Sequence, residues 1–432
     1  YTTLFRSMKK IIYMTMSFIM ATLMAMPVQA QNVIEGEVVE PQDDTEVTDS
    51  TMLDSLAADT LKLPWPESVQ VGIGKLLESK MFETSQVGIM VWDMDADSCI
   101  YKHNERQLMR PASTMKLLTA ITALDKLGGS YQFKTQLKYT GTIEDGVLTG
   151  DVYCVGGMDP RFNSDDLTAF VNSLKDMGVD TIRGNVYADR SMKDAALLGE
   201  GWCWDDDNPV LSPLVFSRKD IFMDRFLAKL KDAGIEYEEM YASSKTCPAN
   251  AFTICTRFHT MDQVLHKMMK ESDNLYAECM YYQIAASTGN RPASAKSARN
   301  VERQLINKLG LDASRYRLAD GSGLSLYNYL SAELEVMMLR YAFRNDNIKQ
   351  HLIHSLPIAG VDGTLKKRMK SGSVHGNVKA KTGTLTGIIS LAGYCTAANG
   401  HELCFSIINN GIMHGSNARH FADKVCNLLC QP

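Results

Sequence analysis

Three short motifs, far apart along the chain, constrain the fold more than any other feature of the sequence. The first is a serine and a lysine three residues apart, Ser113 and Lys116, at the start of a predicted helix over 113–126. Positions i and i+3 of a helix are neighbours on its surface, so the lysine amine can reach the serine hydroxyl. A serine at a helix start is also a common N-cap, and the same spacing recurs at Ser7 and Lys10. This motif alone therefore does not separate catalysis from capping.

The other two motifs turn this pair into a candidate active site. Ser272-Asp273-Asn274 lies in a predicted helical region, and Lys381-Thr382-Gly383-Thr384 lies on a predicted strand. A serine–x–asparagine pattern occurs nowhere else in the chain, and lysine–threonine–glycine occurs once. The three motifs in this order resemble the signature of penicillin-binding proteins and serine β-lactamases. A fold that uses them must bring a helix start, a second helical region and a strand into one pocket.

Catalysis by Ser113 requires a base, because a serine hydroxyl is a poor nucleophile until its proton is removed. A lysine accepts a proton only when it is neutral, whereas its usual pKa is about 10.4. Burial and a second nearby cation both favour the neutral amine, and Lys381 is the candidate cation. We therefore predict Lys116 as the base and the Ser272 hydroxyl as the relay of a proton to the leaving amine. Asn274 is predicted to hold Lys116 and the substrate amide in register.

The strand of the third motif is the predicted substrate-binding edge. Gly383 lets a substrate backbone lie against the strand, because it has no side chain. Lys381 offers a charge to a terminal carboxylate, and Thr382 and Thr384 offer hydroxyls. The backbone amides of Ser113 and Thr384 are the predicted oxyanion donors. The alternative is a solvated lysine beside two threonines that merely favour a strand.

Five further motifs narrow the resemblance. They lie at 157–160, 184–186, 201–206, 320–325 and 356–364. They are similar to those of the class C low-molecular-mass penicillin-binding proteins, the D-alanyl-D-alanine carboxypeptidase/endopeptidase family, over residues 86–430. The resemblance implies an exported, wall-facing enzyme that cleaves D-alanyl bonds of peptidoglycan stem peptides through an acyl-serine intermediate. It also implies that β-lactam antibiotics acylate the enzyme as covalent inhibitors.

The sequence departs from the family pattern in two ways, by the loss of an arginine and by a shorter insertion, and the first concerns peptide specificity rather than acylation chemistry. The family commonly has an arginine after the 320–325 motif, where it holds a carboxylate of the stem-peptide side chain, and this chain has Leu326 there. Asp206 matches the family's acidic residue that meets the substrate's free amino group. The family also inserts two extra domains between the first two motifs, and the interval here is too short for both. We expect one smaller inserted domain.

The order of predicted elements indicates an α/β (α+β) fold with an antiparallel sheet flanked by helices, as in the penicillin-binding protein and serine β-lactamase domain. The predicted catalytic domain is discontinuous, with residues 61–131 and 259–432 sharing one sheet, and 132–258 form a smaller inserted α+β domain. Predicted strands lie at 86–94, 99–103, 133–139, 147–154, 181–188, 378–385, 388–396 and 402–409. Predicted helices lie at 68–82, 113–126, 164–177, 219–233, 261–286, 293–309, 331–344 and 416–430.

The N-terminal region is typical of an exported protein. Residues 8–30 combine a basic start, an apolar run and a small-residue cleavage site, which predicts a signal peptide for a periplasmic or cell-envelope location. Residues 31–60 are acidic and without periodicity, which predicts a disordered linker. No later apolar run is long enough for a membrane span.

Composition excludes several classes of partner. The net charge of −5 offers no basic face for nucleic acid. The ten cysteines include no Cys-x-x-Cys, so neither a zinc site nor a thioredoxin-type centre is indicated, and no metal or cofactor is predicted. The cysteines are expected to be small buried residues, and oxidation of one pair other than Cys426 and Cys430 stays open. The sequence makes no prediction of oligomeric state.

Two other functions fit parts of this pattern. A serine β-lactamase must also hydrolyse its acyl-enzyme quickly, for which class A enzymes use a loop glutamate. Glu302 is a near match to that motif, but it falls in a predicted amphipathic helix, where we expect an exposed side chain. A non-catalytic scaffold that binds wall fragments is the other alternative. It would have no need for Ser113, Lys116, Ser272 and Lys381 together.

Overall fold

The computed structural model describes residues 63–204, 208–237 and 244–431, so the predicted segments 8–30 and 31–60 lie outside the described residues. The α-helices in chain order are α1 (Glu67–Leu76), α2 (Met115–Leu127), α3 (Ser164–Asp176), α4 (Phe222–Asp232), α5 (Met261–Lys270), α6 (Asn274–Ala286), α7 (Ala295–Lys308), α8 (Ala332–Phe343), α9 (Asp346–Ser355) and α10 (Gly415–Cys430). The strands are β1 (Gln86–Asp93), β2 (Ser98–His103), β3 (Gln132–Tyr139), β4 (Thr142–Glu144), β5 (Val147–Thr149), β6 (Val152–Val155), β7 (Thr181–Arg183), β8 (Val186–Asp189), β9 (Glu236–Tyr237), β10 (Phe252–Thr260), β11 (Lys379–Leu385), β12 (Ile388–Thr396) and β13 (Glu402–Asn410).

An antiparallel sheet of five strands, the central sheet, carries the third motif on its edge. The strand order is β11-β12-β13-β1-β2, so strands that are distant in sequence are neighbours. β12 and β13 are buried along almost their whole length, because helices cover both faces of the sheet. α1 and α10 pack on one face, and α8 packs on the other. The predicted α/β class and the sheet shared by both ends of the chain are confirmed.

The helix that follows Ser113 is buried on all sides. Residues from Met115 to Leu124 of α2 are inaccessible to solvent, and α6, α7, α8 and α9 surround the helix. Its main-chain bonds are satisfied internally, so a helix can occupy this central position without exposing polar groups to an apolar environment. The first turn of α2 is therefore held from several directions.

The region between β3 and β10 forms two smaller sheets around one hydrophobic cluster. Their strand orders are β10-β3-β6-β8 and β4-β5-β7-β9. The predicted strand 147–154 is in fact β5 and β6, one in each sheet. The division falls at Gly150, which has φ of 155° and approaches Thr140 O so closely that a Cβ would lie 1.9 Å from it. The proposed domain limits at 131 and 259 stay predictions.

Other differences from the predicted elements have local causes. The predicted helix 261–286 is divided into α5 and α6 by Ser272, whose φ of 61° is left-handed and cannot continue a helix. The elements absent from the prediction are β4, β9, β10 and α9, and the predicted strand 181–188 is divided into β7 and β8, which belong to different sheets. None of the helices in the described part of the chain is long and apolar enough to cross a membrane.

Candidate active site

Ser113 lies in a single 3-10 turn, Ala112–Thr114, immediately before α2. Ala112 has φ of 50°, an unfavourable conformation for a residue with a side chain, which the surrounding contacts must hold. The Ser390 hydroxyl on β12 donates to Pro111 O at 2.6 Å and ties this turn to the central sheet. Ser113 is consequently presented, partly exposed, from a rigid turn.

The Lys116 amine contacts three oxygen atoms and has no exposed surface. Its Nζ lies 2.9 Å from Ser113 Oγ, 2.7 Å from Asn274 Oδ1 and 2.8 Å from Ser322 O. A neutral amine has two N–H groups and one lone pair. If the amide and carbonyl oxygens accept the two N–H groups, the lone pair points at the Ser113 hydroxyl. The predicted contacts of Lys116 with Ser113 and Asn274 are present.

Burial sets the protonation of this lysine. It lowers the pKa of Lys116 to about 8, while the negative charges of Asp320, Asp273 and Glu278 act in the opposite direction. A lysine with a pKa of about 8 is neutral in roughly a tenth of molecules at pH 7, far more than an ordinary lysine. The required neutral amine is thus available without a histidine.

A second serine–lysine pair lies in the same pocket. Lys381 Nζ donates to Ser272 Oγ at 2.8 Å and to Thr382 O at 2.8 Å. The pKa of Lys381 is lowered well below its usual value by burial and by the charge of Lys116. Lys381 was expected to lower the pKa of Lys116. In the structure burial is the main cause of the low pKa of Lys116, and the charge of Lys116 instead lowers the pKa of Lys381.

β11 presents its outer side to the serine turn. Ala380 N donates to Pro357 O at 3.0 Å, so the amides of every second residue, including that of Thr384, point away from β12. A Cβ on Gly383 would lie 2.1 Å from Ser390 Oγ and 3.0 Å from Ser113 N. The side of Gly383 expected to receive substrate is therefore filled by the protein itself. The glycine is needed so that the strand can pack against the serine turn.

The hydroxyl of Thr382 is held by a neighbouring segment. It donates to Thr364 Oγ1 at 2.8 Å, and Thr384 on the same strand is exposed. The buried Lys270 donates to both carboxylate oxygens of Asp362, at 2.8 and 2.6 Å, and anchors this segment. Thr364 belongs to the 356–364 motif, so its presence at the site had a signal in the sequence.

Asp320 organises the loop that supplies the third oxygen to Lys116. Its carboxylate accepts the amides of Gly323 and Ser325 at 2.8 and 2.7 Å, and the indole N–H of Trp202 at 2.8 Å. Leu326, which follows the 320–325 motif, has 45% of its surface exposed. Asp206, the predicted contact for the substrate amino group, lies outside the described residues.

Two buried glutamates accompany the site. Glu302 was expected to be exposed, but it is fully buried in α7 and faces the Thr119 hydroxyl of α2 at 3.4 Å. The expectation was wrong because α7 buries this side of its surface against α2. Glu278, which sequence reasoning missed, accepts the amides of Gly321 and Ser322 at 3.0 and 2.8 Å. Its signal was its spacing of one helical turn from Asn274.

One group of possible metal ligands comes together within the described ranges: Asp93, Asp95 and His401. Asp93 Oδ2 and His401 Nδ1 already form an ion pair at 2.7 Å, and Asp95 Oδ2 accepts the amide of Glu402 at 2.6 Å. Asp93 also raises the pKa of His401. These contacts join the β1–β2 turn to β13 and have a structural role.

Comparisons with known proteins agree with this geometry. The family model for D-Ala-D-Ala carboxypeptidase 3 (S13) matches residues 69–216 and 208–431. The D-alanyl-D-alanine carboxypeptidase DacB of Haemophilus influenzae is 26% identical over 423 residues, which cover 78% of this chain and 88% of that protein. The D-alanyl-D-alanine carboxypeptidase of Actinomadura sp. (strain R39) is 27% identical over 437 residues, with 78% and 80% covered.

Solved structures of penicillin binding protein 4 (dacB) from Haemophilus influenzae have the same fold. One matches with a TM-score of 0.74 and 24% identity, and covers 82% of this chain and 97% of that chain. A second, complexed with a novel β-lactam, matches with a TM-score of 0.71 and 25% identity, and covers 83% and 99%.

The fold and the pocket define a serine-type peptidase of the penicillin-binding protein class. Within that class, the chain belongs to the D-Ala-D-Ala carboxypeptidase 3 (S13) family. The predicted family and the predicted D-alanyl-D-alanine carboxypeptidase function are confirmed by this membership.

Proposed function

We propose that the protein cleaves the D-alanyl-D-alanine bond of peptidoglycan stem peptides through an acyl-enzyme on Ser113. One observation carries the assignment: the buried Lys116 amine lies 2.9 Å from the Ser113 hydroxyl, while Asn274 and Ser322 supply acceptors for its two N–H groups. A helix N-cap would not need a buried amine in this position. In this proposal residues 61–131 and 259–432 form the catalytic domain, and 132–258 are an insertion.

Acylation begins when Lys116 takes the proton of Ser113. The serine oxygen attacks the carbonyl carbon of the penultimate D-alanine, and the C–N bond to the terminal D-alanine breaks. The proton that Lys116 took from Ser113 is passed to the leaving amine through the Ser272 hydroxyl, which lies 2.8 Å from Lys381 Nζ, so Lys116 is neutral again when D-alanine leaves. Water then attacks the acyl-serine, which restores the enzyme.

The developing oxyanion would be bound by the backbone amides of Ser113 and Thr384. The close packing of Gly383 against the serine turn supports this arrangement, because it places the Ser113 amide next to β11, the strand that carries Thr384. Such fixed donors stabilise charge that forms only during the reaction.

Lys381 is the proposed partner of the substrate's terminal carboxylate, together with the hydroxyls of Thr382 and Thr384. The free site disfavours a charge on Lys381, because the amine is buried and close to Lys116. An entering carboxylate would favour the ammonium form. Binding of an anionic substrate would thus restore a charge that the empty site suppresses.

The remaining parts of the proposal concern location and partners. Export to the periplasm or cell envelope is supported by the signal-like residues 8–30. Acylation by β-lactams is supported by the β-lactam complex of the Haemophilus relative. Asp206 is the proposed contact for the amino group of the stem peptide.

Digestion of purified peptidoglycan fragments tests the function. Mass spectrometry should detect loss of one alanine from pentapeptide stems, and separation of cross-linked dimers would add endopeptidase action. A reporter penicillin should form a long-lived adduct. Rapid turnover of the reporter would instead indicate a β-lactamase, and absence of both cleavage and labelling would indicate a scaffold.

A further inference from the structure

The buried carboxyl of Glu278 is linked to the Lys116 amine through one intervening residue, Ser322. It accepts the amides of Gly321 and Ser322, and the carbonyl of Ser322 accepts the Lys116 amine at 2.8 Å. Asn274, on the same face of α6 one turn earlier, accepts the same amine. One face of α6 therefore holds the amine in two ways, directly through Asn274 and indirectly through Glu278.

The carboxyl also acts on Lys116 through its charge. The burial of Glu278 and the negative charge of Asp320 raise its pKa to about 8, close to that of Lys116. Two interacting groups with similar pKa values titrate as a pair. The charged and titratable groups that face the pair from the surrounding elements are Asp273, Lys193, Glu302, Asp320 and Lys381.

We propose that Glu278 is a positioning residue for Lys116. The hydrogen bonds of Glu278 fix the Ser322 carbonyl, and the charge of Glu278 decides how readily Lys116 becomes neutral. This inference rests on the proposed role of Lys116 as base. When Glu278 is protonated, the negative charge that would hold the proton on Lys116 is absent. When Glu278 ionises, it stabilises the ammonium form and withdraws the base.

Hydrogen bonding and charge can be separated by one substitution. Glu278→Gln keeps an oxygen that accepts the two amides but carries no charge at any pH. The measurement is the second-order rate constant for acylation by a reporter penicillin from about pH 5 to about pH 10. In Glu278→Gln the acid limb of this profile should move to lower pH by roughly 0.5 to 1 unit. The limb should fit the titration of one group, because Glu278 no longer titrates with Lys116, and the plateau rate should be retained. An unmoved limb would overturn the role of the charge.

Glu302→Gln is the matched control. It removes a second fully buried carboxyl, which faces the Thr119 hydroxyl and, unlike Glu278, accepts no hydrogen bond from the amides of Gly321 and Ser322. Its acid limb should stay in place. Equal shifts in both variants would overturn the specific role of Glu278, because any buried negative charge would then be equivalent.

A shorter acid tests the hydrogen bonds and remains informative if Glu278→Gln does not fold. Glu278→Asp keeps a carboxylate, but its shorter side chain cannot reach the amides of Gly321 and Ser322. Acylation should slow by about 10-fold or more, because these buried donors lose their acceptor. Unchanged acylation would overturn the positioning role. Labelling of wild type but not of Ser113→Ala, measured in parallel, shows whether a negative result concerns Glu278 alone or the proposed function itself.

Discussion

The pocket contains two serine–lysine pairs that look alike and differ in what surrounds them. Lys116 Nζ lies 2.9 Å from Ser113 Oγ, and Lys381 Nζ lies 2.8 Å from Ser272 Oγ. Both lysines are fully buried, and both serines lie beside or at a left-handed residue, with φ of 50° at Ala112 and 61° at Ser272. By distance and burial alone, either pair would be a candidate nucleophile and base.

The difference lies in the charges near each amine. Three carboxyl groups, those of Asp320, Asp273 and Glu278, oppose the effect of burial on Lys116 and leave its pKa at about 8. The pKa of Lys381 is lowered well below its usual value by burial and by the charge of Lys116, and no carboxyl group opposes this effect among its main causes. Lys116 is thus suited to exchange a proton near neutral pH. The charged form of Lys381 is disfavoured in the free enzyme, and an anionic substrate would stabilise it. This difference supports the proposal that Lys116 is the base and that Lys381 binds the substrate carboxylate.

The largest expected effect comes from removing one hydroxyl from each pair. Ser113→Ala should abolish covalent labelling by a reporter penicillin, because the acyl group has no other point of attachment. Ser272→Ala should slow labelling by about 100-fold or more, the usual contribution of proton transfer, but leave a covalent adduct detectable by mass spectrometry.

Melting temperatures of both variants provide the control for folding. A folded Ser113→Ala variant that still forms an adduct would reverse the assignment of the two pairs. Its site of attachment could then be identified by peptide mapping.

The two lysines are distinguished by the substrate's carboxylate. Lys116→Ala should slow acylation by about 100- to 10,000-fold for a penicillin and for its methyl ester alike, since the base acts on the serine. Lys381→Ala should cost about 10- to 100-fold more with the free carboxylate than with the ester, because the lost contact with Ser272 slows both reporters but only the carboxylate also loses its charged partner. Stopped-flow acylation rates give both ratios. Equal losses with both reporters in Lys381→Ala would contradict its role as carboxylate partner.

The sequence predicted the side chains of both pairs but not their surroundings. Ser113 and Lys116 are recognisable because helical spacing makes them neighbours. The Ser322 carbonyl is a main-chain group that any residue could supply, so no residue type identifies it. Glu278 and Glu302 are polar residues in helices, and only tertiary packing determines that they are buried.

Two of the four elements that were missed, β10 and α9, escaped prediction for a related reason. β10 has an irregular burial pattern, with Phe252 60% exposed and Phe258 48% exposed, so alternation does not mark it as a strand. α9 buries only Ile348, Leu352 and Ser355, which is too narrow an apolar stripe for periodicity to detect. Three strands of the central sheet, β1, β12 and β13, were predicted well because they are largely continuous apolar runs.

The pH dependence of acylation sharpens the comparison further. Burial lowers the folded pKa of Lys116 to about 8, so the neutral base becomes more abundant as pH rises toward that value. Acylation should therefore increase about tenfold per pH unit well below pH 8 and level off above it. Lys381→Ala should retain the rising limb, because it leaves the base in place. A profile that is flat from about pH 5 to about pH 9 would exclude Lys116 as the titrating base.

The smallest expected effect separates recognition of the stem peptide from both pairs. Leu326 is 45% exposed, and its carbonyl accepts the Arg110 side chain at 3.1 Å, so the position is held at the surface by its backbone. Leu326→Arg would place a cation where a carboxylate on the peptide side chain can meet it. We expect kcat/KM to rise roughly 2- to 5-fold for stem peptides with a free side-chain carboxylate, the modest gain of an exposed ion pair. Leu326→Gln, which adds polarity without charge, is the matched control, and neither variant should change penicillin acylation. An equal gain with peptides whose side-chain carboxylate is amidated would rule out an ion pair at this position.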